Sequence, residues 1–148
     1  MNPLRRVTLQ TVTALAAGLA LPLRALAAWN KEAFQAKTAA DALKNLGIAS
    51  SAESKDVLID APQIAENGAV VPIEITSNVP NTKSIAIVID KNPFPLAAKF
   101  DFSEGAAPYV KVNVKLGESS FVRVLAEAGG KFYSASREIK VTIGGCGG

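Results

Sequence analysis

Val110, Val112 and Val114 alternate with Lys111, Asn113 and Lys115. A period of two puts the valines on one face and the polar residues on the other, the pattern of a strand with one buried side. Strand-like runs continue on either side of this one. Asp56–Asp60, Ala69–Thr76, Leu96–Phe102 and Phe121–Glu127 are separated by turn formers, notably Asn67-Gly68, Gly117 and Gly129-Gly130. The last run, Lys131–Ile143, ends with Ile139, Val141 and Ile143 set against Glu138, Lys140 and Thr142. Ile85–Ile89 is apolar at every position, as expected of a strand buried on both faces. Seven short strands at this spacing predict a mainly β protein, an immunoglobulin-like antiparallel β-sandwich.

Ahead of the strands the period is helical. Asn30 and Thr38 are N-cap candidates, Phe34, Leu43 and Leu46 supply an apolar stripe, and Gly47 is a stop. One helix or two short ones in succession are expected, followed by a linker, Ala49–Lys55.

Residues 1–27 read as a leader. Arg5-Arg6 precedes an apolar run, Val12–Leu23, and Ala25-Leu26-Ala27 is a small-residue cleavage pattern. The run is short for a membrane span, which takes about 20 residues, and Gly18 and Pro22 interrupt it. Arg5, Arg6 and Leu9 fit the twin-arginine export pattern, although Thr8 stands where phenylalanine is common, and Arg24 beside the cleavage site favours the same route. A periplasmic protein with a cleaved signal, and no membrane insertion afterwards, is expected. The expected organisation is a signal peptide over 1–27, a helical segment over 28–50, a sandwich over 51–143 and a carrier arm over 144–148.

Cleavage removes the chain's basicity. Without Arg5, Arg6 and Arg24 the 16 basic residues fall to 13, equal to the 13 acidic ones. No charge excess remains to argue for nucleic-acid binding.

Chemistry concentrates at the other end. The chain holds one cysteine and no histidine. That excludes an intrachain disulfide, a cysteine-built zinc site and a cysteine–histidine hydrolase. Cys146 lies between Gly144-Gly145 and Gly147-Gly148, just after the last predicted strand. Glycines make an arm slim enough to enter a narrow channel, and the three residues from Ile143 to Cys146 allow a reach of roughly 10 Å. Low-pKa cysteines sit at helix N-termini or beside cations, whereas this one lies two residues from the terminal carboxylate. A frayed terminus and a small core residue are the usual roles of such glycines and of such a cysteine. A cysteine flanked by glycine pairs has no core to enter, and a free thiol in an oxidising compartment is open to oxidation. The pattern points to a covalent carrier whose thiol is activated by partners, not to an enzyme.

The terminal Val141-Thr142-Ile143-Gly144-Gly145-Cys146-Gly147-Gly148, together with Pro62-Gln63-Ile64-Ala65-Glu66-Asn67-Gly68-Ala69-Val70-Val71-Pro72 and Lys91-Asn92-Pro93-Phe94-Pro95-Leu96, resembles the SoxY family of sulfur carriers from periplasmic thiosulfate-oxidising (Sox) systems. The resemblance covers nearly all of the chain beyond the leader. It implies a heterodimer with a SoxZ-like β-sandwich subunit that lacks its own signal. It also implies service to a SoxXA-like c-type cytochrome that joins thiosulfate oxidatively to the cysteine. A SoxB-like, manganese-dependent hydrolase then releases sulfate, and a SoxCD-like sulfane dehydrogenase acts where the host has one. Cys146 takes the attachment position, and Gly144, Gly145, Gly147 and Gly148 take the arm. No cofactor is implied beyond sulfur intermediates bound covalently to Cys146. Asn67-Gly68 and Asn92-Pro93 are read as a structural turn and loop.

Two other classes fit parts of the chain. A carrier using a terminal Gly-Gly thiocarboxylate would need ATP-driven activation, which an exported protein does not meet. An interaction-only sandwich or a copper module is the third class. Its copper site would rest on one thiolate, because Met1 is the sole methionine.

Overall fold

The computed structural model describes residues 29–142. Two short helices lead, α1 (Lys31–Gln35) and α2 (Ala39–Asn45). Both predicted caps form. Asn30 Oδ1 accepts from the Ala33 amide at 3.0 Å, and Thr38 Oγ1 accepts from the Asp41 amide at 3.1 Å while donating to Asp41 Oδ2 at 2.7 Å. Gly47, at φ +76°, ends α2, with Gly47 N donating to Lys44 O and Ile48 N to Leu43 O. This double bond is a Schellman closure that needs a left-handed residue, hence glycine. The predicted stripe of Phe34, Leu43 and Leu46 is only partly buried; the residues in closest contact are Ala33, Ala36, Ala42 and Ile48. Alanines let these short helices lie close to the sheet below.

Among the described residues, nine strands form two sheets. The larger orders β1 (Ala52–Glu53), β9 (Lys131–Val141), β8 (Ser120–Ala128), β5 (Thr82–Ile89) and β6 (Leu96–Asp101), with β3 (Ile64–Ala65) also on β9. The smaller is β2 (Val57–Asp60), β4 (Val71–Ser77) and β7 (Tyr109–Val114). Ile73, Ile75 and Val110 meet Ile85, Ile87, Ile89, Val122, Val124 and Ile139 between the sheets. Ala86, Val88 and Leu125 face the opposite way, onto the helices with Leu96. Strand β5 therefore lies in the middle of three layers, which is why Ile85–Ile89 has no polar face.

The sandwich is antiparallel with two exceptions. β1 and β3 run parallel to β9, at Ala52↔Tyr133 and Glu53↔Ser134, and at Ile64↔Lys140 and Ala65↔Val141. The expected linker thus contains a strand, tied further by Ser54 N to Ser134 O at 2.9 Å. Asn67-Gly68 turns the chain, with Asn67 Oδ1 accepting from Ala69 N at 2.9 Å. It does not close a hairpin, because the strands on either side of it pair with other strands. No helix among the described residues is long and apolar enough to cross a membrane.

Candidate functional site

Cys146 and its neighbours Gly144, Gly145, Gly147 and Gly148 lie outside the described residues, as does the leader. The described part of the candidate site is β9, the strand that precedes them in the chain. β9 is the longest strand, at 11 residues, and pairs with β8 from Ala128↔Lys131 to Ser120↔Ile139. Its last residues are held one by one. Lys140 N donates to Gln63 O at 2.9 Å, Val141 N to Ser119 Oγ at 2.9 Å and Thr142 N to Ala65 O at 3.1 Å. Three consecutive amides are thereby fixed from both sides of the strand, so the position of Thr142, the last described residue, is set by the fold.

The segments singled out in the sequence converge on this point. Within Pro62–Pro72, Gln63 and Ala65 supply the carbonyl acceptors, and Gly68 packs against Val141. A Cβ on Gly68 would sit 2.5 Å from Leu116 O and 2.9 Å from Val141 Cγ1. Gly68 O accepts from Leu116 N at 2.7 Å, which locks the two segments together. The Lys91–Leu96 segment holds the same Leu116 loop from behind. Asn92 Nδ2 donates to Lys115 O at 2.7 Å, and Asn92 Oδ1 accepts from Gly117 N at 3.1 Å. Asn92, Leu116, Gly68 and Val141 thus form a relay of contacts from a surface loop to the base of the tail.

Asn92→Ala removes both side-chain bonds. It should lower stability by about 1–2 kcal/mol, because two backbone groups lose their partner at a partly solvated site. Urea unfolding of the two proteins measures this directly.

Sequence reading placed the turn and the loop and singled out the segment holding Gln63 and Ala65 without giving those two a role, and it missed Leu116 and Ser119. Ser119-Ser120, a polar pair opening an apolar strand, was the available signal. Ser119 caps the end of β9, and Ser120 Oγ accepts from Lys91 N at 3.1 Å.

Charge around the base is mixed. Lys91 pairs loosely with Glu118 at 3.9 Å, and Lys115 and Lys140 are exposed. A tighter cluster lies elsewhere, on the outer face of the small sheet. There Lys111 Nζ and Tyr109 Oη donate to Glu74 at 2.5 and 2.8 Å. These bonds, Lys111 foremost, hold the Glu74 carboxyl below its usual range and raise both donors. On the outer face of the large sheet Arg123 reaches Asp90 at 2.9 Å. Among the described residues no three of His, Cys, Asp and Glu come together as a metal site would require.

Comparison with known proteins identifies the chain. The sulfur oxidation protein SoxY family matches residues 43–146, a span whose last residue is Cys146. Among solved structures, the sulfur carrier protein SoxY from Chlorobium limicola f thiosulfatophilum is similar at 36% identity and a TM-score of 0.62, over 70% of this chain and 96% of that one. Two variants of a superoxide reductase (neelaredoxin) from Ignicoccus hospitalis share the sandwich at a TM-score of 0.53. Each is 19% identical, over 67% and 66% of this chain and 87% and 86% of theirs, a likeness that extends to the fold alone. No curated protein matches. With the family match spanning most of the chain and the sandwich shared with the Chlorobium carrier, the chain belongs to the SoxY family of sulfur oxidation proteins.

Proposed function

We propose that this chain carries sulfur intermediates covalently on Cys146 and presents them to partner enzymes in the periplasm. The observation that carries the proposal is positional. The fold fixes the backbone through Thr142, and the chain's one thiol follows four residues later, where the family match ends.

The chemistry needs little from the carrier itself. In the loading step the Cys146 sulfur forms a disulfide bond to the outer sulfur of thiosulfate. One proton leaves the thiol and two electrons pass to the c-type cytochrome partner. In the release step water adds to the terminal sulfone, the bond between it and the neighbouring sulfur breaks, and sulfate leaves. Cys146 then keeps one extra sulfur as a persulfide. A SoxZ-like second subunit, a SoxB-like hydrolase and, in hosts that have it, a SoxCD-like sulfane dehydrogenase complete the proposed set of partners. Residues 1–27 act as a cleaved leader of the twin-arginine type, and residues 144–148 as the carrier arm.

Intact-mass measurement of protein isolated from thiosulfate-grown cells tests the reading. Sulfur-bearing adducts confined to the C-terminal peptide are expected. An unmodified thiol under every growth condition overturns it.

A further inference from the structure

Of the chain's asparagines, Asn67 alone is followed by a glycine. Besides making a turn, that dipeptide is chemically reactive. The backbone nitrogen of the second residue attacks the side-chain carbonyl carbon of the asparagine, expelling ammonia and closing a five-membered succinimide. Water then opens the ring at either carbonyl. One opening gives aspartate; the other gives isoaspartate, in which the main chain runs through the former side chain and is one carbon longer. Each conversion consumes one water and releases one ammonia, with no oxidant or cofactor. A following glycine favours the attack, because it has no side chain to hinder its nitrogen and its backbone turns freely. Asn67 itself is exposed, so water reaches it.

The fold withholds that freedom. Gly68, which carries the attacking nitrogen, is buried. Its carbonyl accepts from Leu116 N at 2.7 Å, and it lies so close to the Leu116 carbonyl and to Val141 that a Cβ has no room. On the other side, Asn67 Oδ1 is tied to Ala69 N at 2.9 Å and Asn67 O to Val70 N at 3.4 Å. Ring closure draws the Gly68 nitrogen onto the Asn67 side chain and turns the peptide plane between them, a plane now held at both ends. We propose that the packing of Gly68 on Leu116 and Val141 is a clamp that shields Asn67 from deamidation, and that Asn67 converts to isoaspartate when the clamp opens. Opening is reversible and the conversion is not, so product accumulates with the fraction of time the clamp spends open. The damage then keeps it open. An extra backbone carbon at position 67 displaces Gly68 from Leu116 and Val141, next to the Ala65 carbonyl that holds Thr142. This inference rests on the fold and is independent of the carrier reading.

The test incubates the full-length protein at neutral pH and physiological temperature and follows isoaspartate at position 67 by peptide mass and by enzymatic isoaspartate methylation. The folded parent should form it at least on the order of tenfold more slowly than the same chain unfolded in urea. Asn92→Ala frees the Leu116 loop from two hydrogen bonds and should speed the conversion roughly 5–30-fold over the folded parent, the change in open population expected for a loss of that size. Thr38→Ala removes the cap of α2, which does not touch the clamp, and should leave the rate within about twofold. Asn67→Ser should abolish the product while keeping a side-chain oxygen for Ala69 N. The isolated isoaspartate form should unfold at a lower temperature than Asn67→Asp, which gains the same charge without lengthening the chain.

A folded parent that reacts as fast as the unfolded chain overturns the clamp, and so does an Asn92→Ala protein that reacts no faster than the parent. Equal acceleration by Thr38→Ala and Asn92→Ala assigns the gate to global unfolding and overturns it as well. Isoaspartate that persists in Asn67→Ser overturns the site. An isoaspartate form as stable as Asn67→Asp overturns the claim that the damage holds the clamp open.

Discussion

A Cys146→Ser protein is expected to fold normally, pair with the proposed SoxZ-like subunit and accept no thiosulfate-derived sulfur. Serine keeps the shape of the side chain, but its oxygen cannot form the sulfur–sulfur bond of the loaded state. No other thiol can substitute, since the chain has one cysteine. Stability should be within about 0.5 kcal/mol of the parent, because the change swaps one sulfur for an oxygen at a position five residues past the end of β9. Thiosulfate-dependent cytochrome reduction should fall to background, and the mass of the C-terminal peptide should stay unmodified. Deletion of Gly148 separates this chemistry from a terminal thiocarboxylate. The deletion should have only a modest effect if the thiol is the attachment point and abolish loading if the carboxylate is. Full activity of Cys146→Ser would favour an interaction-only module.

The second large effect is on the fold. Gly68→Ala adds one carbon where Leu116 O lies 2.5 Å away. That oxygen belongs to backbone, and Leu116 is itself buried in the core, so it cannot swing aside as a side-chain tip would. The added carbon must push the Leu116 loop off the Pro62–Pro72 segment and strain the Leu116 N to Gly68 O bond. A loss of about 3 kcal/mol is expected, as for overpacking at a rigid site. This lowers the unfolding temperature by roughly 10 °C in a domain of this size. Gly117→Ala is the control, because its Cβ would meet only Asn92 Oδ1 at 3.9 Å, an ordinary contact. A Gly68→Ala protein as stable as the parent would show that this segment is not packed against β9 as described. If the Gly68→Ala protein folds, its Cys146 should still react with small thiol reagents but be handled less well by enzymes that need the base of the tail in place.

The glycine also shows what the sequence conceals. Asn67-Gly68 reads as a tight turn, and a turn is present. The demand for glycine, however, comes from Leu116, far along the chain, and not from a left-handed backbone; positive φ falls instead on Gly47, Gly105, Gly129, Gly130 and Asn81. Local pattern cannot announce a distant carbonyl. The same holds for β1 and β3, two residues each, which are too short to show any period. It holds for Ala33, Ala36 and Ala42, whose small size matters only once the sheet beneath is known. By contrast, the caps at Asn30 and Thr38, the alternation of β7 and the apolar run Ile85–Ile89 within β5 rest on neighbouring residues, and all three were legible. Cys146 stands out in the sequence by elimination, because the chain offers no histidine and no second thiol. Gln63 and Ala65 do not, because they act through backbone carbonyls that any residue could supply.

The two-sided hold on β9 has a mechanical consequence. Consider a pull on the chain beyond Thr142 that runs along β9. The hydrogen bonds to β8 and to β3 lie across that pull, so they are loaded together in shear and do not open one after another like a zipper. The root of the tail therefore resists a pull along the strand more strongly than it would if those bonds opened in turn.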